Sequence, residues 1–82
     1  MPCVNADGTL TPVAERVLRS LRAPGVMRTA DEVAREAAVP LYRSRASLRE
    51  LEGAGLVVLD GSAYRLTPAG AAKLDAPVPA GR

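Results

Sequence analysis

Histidine, phenylalanine and tryptophan are missing from this chain of 82 residues, which holds one cysteine and two tyrosines. Without histidine there is no imidazole to act as acid, base or metal ligand near neutral pH. Asp31, Glu32 and Glu36 are then left without the partner that a metal site or a proton-transfer pair would need. Two of them fall in the first turn of a helix, where the helix dipole favours negative charge. Catalysis, metal binding and cofactor binding are not expected. Cys3 has no second cysteine and excludes an internal disulfide. No apolar run approaches the roughly 18 residues of a membrane span, and a signal-peptide layout is missing too. The expectation is a cytoplasmic protein with no membrane association.

The shortage of aromatics also limits the core. Leu, Val and Ala must build it, with each larger aliphatic contributing roughly 1.5–3 kcal/mol when fully buried. A domain of this length buries only about 60 % of the surface its unfolded chain exposes. One small domain of modest stability is expected, with no room for a separate sensing domain. The net charge of +2 is a mild bias towards polyanions. Ten of the eleven basic residues are Arg, which suits bidentate contact to phosphate or guanine. A GC-rich coding sequence would inflate Arg and Ala as well, so arginine content alone decides nothing.

Residues 1–10 have no apolar period and read as a flexible arm, and residues 76–82, with two prolines, read as a disordered tail. Between them, residues 11–75 read as one domain. Thr11-Pro12 opens a helix, threonine capping free N–H groups and proline losing no bond at the first helical position. Val13, Val17, Leu18 and Leu21 form its inner face, and Pro24-Gly25 must halt it. Val26 and Met27 suit a very short strand. TADE, residues 29–32, fits a capping box for a second helix whose inner face is Ala30, Val33, Ala34 and Ala37. Pro40 then breaks the chain.

A third helix spans about Leu41 to Gly53. Steps of about 100° place Leu41, Ser44, Leu48 and Leu51 inward, and Tyr42, Arg43, Ala46, Ser47, Arg49 and Glu50 outward. Leu56–Leu59 and Ala63–Leu66 are strand-like runs joined by Asp60-Gly61-Ser62. Thr67-Pro68 opens a short last helix reaching Leu74. The expected class is α+β, mainly helical: a three-helix core with a short β-hairpin wing and a short C-terminal helix. That is the order of a winged helix-turn-helix.

The segment LRELEGAGLVVLDGSAYRLTPAG resembles the signature of bacterial winged-helix transcription regulators. Leu48, Leu51, Glu52, Gly55, Leu56, Tyr64, Leu66, Thr67 and Gly70 occupy its positions. The core resembles that shared by the multiple-antibiotic-resistance, arsenic-repressor and PadR-type regulators, over about residues 12–74. The resemblance implies double-stranded DNA as partner and insertion of residues 41–53 into the major groove. It does not carry over metal sensing, which rests on clustered Cys and His. The long dimerisation helices of the larger regulators have no counterpart in this sequence either.

On this reading Arg43, opposite the expected buried stripe, is the first choice for a guanine contact. Ser47 would bond to bases or phosphate, and Ala46 would leave room for close approach or touch a thymine methyl. Tyr42 would bond a phosphate oxygen, Arg45 at the flank of the buried face would reach a phosphate, and Arg49 lies with them on the part of the helix that meets DNA. Thr29 presents a helix N-terminus able to hold a phosphate, although capping is its main role. Arg65 and Ser62 are the wing candidates, and Arg28 is a further phosphate candidate. Arg16, Arg19 and Arg22 read as a solvated face. A homodimer would use the helices at Thr11–Arg22 and Thr67–Leu74. The competing readings are a winged-helix protein-interaction module and a phage or plasmid accessory DNA-binding factor, since fold alone does not fix function.

Overall fold

The computed structural model describes residues 9–75, in which four helices and one antiparallel hairpin follow one another. Cys3 and nearly all of the expected arm and tail lie outside the described residues. Leu10, assigned to the arm, instead packs partly buried against the core.

α1 (Pro12–Arg19) starts as its residues dictate, with Thr11 Oγ1 accepting the Ala14 N–H at 3.2 Å. It ends sooner than Pro24 requires. The Ser20 hydroxyl donates back to the Val17 carbonyl at 2.6 Å. The N–H groups of Leu21 and Arg22 each reach only three residues back, which tightens the chain out of the helix. Ala14, Val17, Leu18 and Leu21 are fully buried, while Val13 is only half-buried.

α2 (Ala30–Ala37) opens on the complete capping box. Glu32 N–H donates to Thr29 Oγ1 at 3.3 Å, and Thr29 N–H donates to Glu32 Oε1 at 2.8 Å. Val33, Ala34 and Ala37 are buried. The helix closes at Ala38, which takes a left-handed conformation with φ 58° and ψ 48°. The Val39 N–H then reaches the Ala34 carbonyl at 3.0 Å, the long bond of a glycine-type C-terminal cap. Alanine here bears a Cβ strain that glycine would not.

Val39 and Pro40 turn the chain into α3 (Leu41–Gly53). Its side chains Ser44, Ser47, Leu48 and Leu51 are buried. Ser44 is wholly enclosed, and its hydroxyl donates to the Ala30 carbonyl of α2 at 2.8 Å. That bond satisfies a buried polar group and ties the two helices together. Gly55 ends α3 with φ 79°, letting the Leu56 N–H reach the Leu51 carbonyl at 2.9 Å.

β1 (Val57–Asp60) and β2 (Ala63–Leu66) pair antiparallel, Val57 opposite Leu66 and Asp60 opposite Ala63. Gly61 and Ser62 make the two-residue turn. Only Gly61 has a positive φ, 66°, the pattern of a type II′ hairpin. Arg28 joins the far edge of β2, exchanging both backbone bonds with Tyr64 at 3.1 and 2.7 Å. The strand expected at Val26 and Met27 is thus a single bridge, one residue later.

α4 (Pro68–Asp75) is fastened through Thr67. The Thr67 hydroxyl donates to the Gly55 carbonyl at 2.7 Å and accepts the Gly70 N–H at 3.0 Å. Gly70 is buried so closely that a Cβ would collide with the Leu56 carbonyl and the Leu66 side chain. The core lies among α1, α2, α3 and the root of the hairpin, with Leu74 packed at its edge. No described helix is long and apolar enough to cross a membrane. The whole is an α+β arrangement, mainly helical, and compatible with the expected winged helix.

Two substitutions test this packing by urea denaturation. Ala38→Gly should stabilise the protein by about 0.5–1 kcal/mol, as the left-handed strain is released. Gly70→Ala should cost about 1–3 kcal/mol through overpacking. A destabilised Ala38→Gly, or a neutral Gly70→Ala, would contradict the geometry described.

Candidate functional site

Burial of Ser47 sets the orientation of α3. At 2 % exposure it faces the core, not the solvent side expected for it. A short hydroxyl fits either environment, so its neighbours decide. With Ser44, Ser47, Leu48 and Leu51 all inward, the opposite side of the helix runs through Tyr42, Ala46 and Arg49, spaced i, i+4 and i+7. Each of these three is exposed, Tyr42 to 68 %. Arg43 therefore moves to one flank and is half-buried, with its guanidinium 5.8 Å from the centre of the Tyr42 ring. The expectation that Arg43 lies opposite the buried stripe is corrected. Arg45 lies on the other flank and is exposed.

That second flank faces a groove. Arg45 and Arg49 line it from α3, Thr29, Asp31, Glu32 and Arg35 from the start of α2, and Leu59, Ser62 and Tyr64 from the hairpin. Thr29 and Ser62 thus stand with two of the expected α3 arginines. Strand alternation separates Arg65 from them. It pairs with Val58 on the face opposite to Leu59 and Tyr64, and it borders a different depression, beside Arg22 and Pro24. Arg65 is not part of the groove.

Arg28 is also placed elsewhere. Its Nε donates to the Ser20 carbonyl at 2.8 Å, and its guanidinium lies 3.9 Å from Glu36. These contacts brace the end of α1. The arginines of the first helix are engaged as well. Arg16 donates to the Ala37 and Ala38 carbonyls at 3.1 and 3.0 Å, capping the C-terminus of α2. Arg19 pairs with Glu15 at 2.6 Å and Arg22 with Asp75 at 2.7 Å. These three arginines lie on an exposed face, as expected, and each also has a partner within the chain.

The groove arginines differ. Among the described residues, Arg35, Arg45 and Arg49 have no ion pair. Arg45 and Arg49 stand at i and i+4, where like charges repel by about 0.2–0.5 kcal/mol. Pro40 gives α3 no side-chain cap, and its first turn has no acidic residue. Arg35 was missed by the sequence reading. Its signal was the gap of three residues from Glu32, which places it on the groove side of α2. Leu59, 40 % exposed, was missed too, because its run reads simply as a strand.

Comparison with protein-family models, with curated proteins and with solved structures finds no match to this chain.

The division of the arginines makes opposite predictions for stability. Arg16→Gln should lower the free energy of unfolding by about 1 kcal/mol, since it removes a cap on two carbonyls. Arg45→Gln should leave it unchanged or raise it by about 0.2–0.5 kcal/mol. Chemical denaturation of both variants at low salt measures the contrast, and equal losses would refute the division.

Proposed function

We propose that the chain is a small winged helix-turn-helix protein that binds double-stranded DNA, with α3 entering the major groove. The observation that carries this reading is the cluster of unpaired arginines. Arg45 and Arg49 repel each other on α3, and Arg35 adds a third positive charge across the groove. The repulsion between Arg45 and Arg49 works slightly against the fold, and a polyanion would relieve it. The dimensions agree with the reading. Thirteen residues make a helix about 20 Å long and about 10–12 Å across, which a major groove about 12 Å wide admits.

In this reading the exposed line of Tyr42, Ala46 and Arg49 meets base edges. Arg45 and Arg35 reach backbone phosphates on the hairpin side, with Ser62 at the turn. Thr29 lends the start of α2, although its own hydroxyl is occupied by the capping box. Phosphate contacts set position and base contacts set sequence. The role is that of a transcription regulator occupying its site, controlled by its own abundance or by a partner. A second copy is not required.

One feature of the groove favours a competing reading. Asp31 and Glu32 stand within it, and Leu59 is exposed beside them. Phosphates gain nothing from these groups, whereas a protein with basic and apolar side chains would. Protein docking is the second reading.

Fluorescence anisotropy with labelled random-sequence duplex, at stepped potassium chloride, separates the two. DNA binding should weaken with salt by about 0.9 in log–log slope for each phosphate neutralised. Arg35→Gln and Arg45→Gln should each reduce that slope by about 0.9 and weaken all duplexes alike. No measurable DNA affinity at low salt, or a slope unmoved by either change, would favour protein docking instead.

A further inference from the structure

The rotation of α3 puts an apolar surface where a base-reading helix would usually show polar groups. Tyr42 and Ala46 are one turn apart on the most outward line of the helix, and both are exposed. Beside them Arg43 covers one face of the Tyr42 ring, its guanidinium 5.8 Å from the ring centre. This is within the range of a cation–π contact. A planar cation on one face restrains the ring and leaves its edge and other face open. Together with the Ala46 methyl they form a small apolar strip, extended by Arg49 one turn further on.

In the major groove only one feature of the base edges is apolar, the C5-methyl group of a pyrimidine. Resting on the DNA-binding reading above, we propose that Tyr42 and Ala46 recognise pyrimidine C5-methyl groups, and that Tyr42 is a specificity-determining residue of this protein. Thymine carries that methyl, and so does 5-methylcytosine. Arg43 holds the ring in place, and Arg49 reads a hydrogen-bonding edge beyond the methyl. Tyr42 is too exposed to be needed for folding, so its removal tests recognition and not stability.

The probe is the tightest-binding duplex recovered from a random-sequence pool. It is resynthesised with deoxyuridine replacing each thymine in turn, and separately with 5-methylcytosine replacing each cytosine. Each exchange alters a single methyl group. Removing a contacted thymine methyl should weaken binding about fourfold, or adding one at a contacted cytosine should tighten it by a similar factor. Tyr42→Phe should keep this discrimination, and Tyr42→Ala should reduce it to the part that Ala46 supplies while retaining the salt dependence of binding. Equal affinity for thymine and uracil, and for cytosine and 5-methylcytosine, at every position would overturn the inference while leaving DNA binding intact. Discrimination undiminished by Tyr42→Ala would overturn it as well. A pool that yields no bound duplex would overturn the DNA-binding reading itself.

Discussion

The hydrogen bond from Ser44 to the Ala30 carbonyl is the contact on which the candidate site depends. It is short, at 2.8 Å, and the serine is fully enclosed. A buried hydroxyl without its partner would cost about 1–3 kcal/mol, so other rotations of α3 are penalised. Leu48 and Leu51 fill the same side of the helix with apolar volume, which fixes the angle a second time. The side chains left outside are then determined by the 3.6-residue repeat. Tyr42, Ala46 and Arg49 are exposed because Ser44, Ser47, Leu48 and Leu51 are not.

The same economy governs charge. Residues of the first helix and of the segment before α2 use their guanidinium groups as internal struts. Arg16 joins α1 to the end of α2 across 21 positions of sequence, and Arg22 joins the end of α1 to α4. These contacts supplement a core made of small aliphatics. In contrast, Arg35, Arg45 and Arg49 are held near one another without acidic partners among the described residues. Two carboxylates do stand in the groove, but Glu32 is engaged with the Thr29 backbone. Asp31 occupies the first turn of α2, where the helix dipole favours it. Three guanidinium groups and two carboxylates thus share the groove, which leaves a small positive excess there.

Local chemistry was legible in the sequence. The capping box at Thr29, the Thr-Pro helix starts, the span of the third helix and the two strands follow from caps, periods and turn residues, all effects of neighbours in the chain. What escaped depends on partners far away. Ser47 could not be placed by type, because serine suits both sides of a helix and only the packing of α3 decides. Arg28 and Arg16 read as free cations until the carbonyls of Ser20, Ala37 and Ala38 were found beside them. Arg65 was assigned to the wing surface by position alone, yet strand alternation turns it to the opposite face from Leu59 and Tyr64. The left-handed Ala38 gave no warning either, since glycine is the residue that signals such a turn.

The placement of the hairpin completes the argument. It is fixed at its root by the Thr67 N–H bond to the Leu56 carbonyl at 3.1 Å, and by the Thr67 hydroxyl bond to Gly55. Its outer strand is bridged to Arg28, directly before the cap of α2. The hairpin and α2 are therefore joined to the same short stretch, Arg28 and Thr29, while Ser44 ties α3 to α2. A ligand meets a groove whose width is set beforehand, so little ordering cost remains for the backbone.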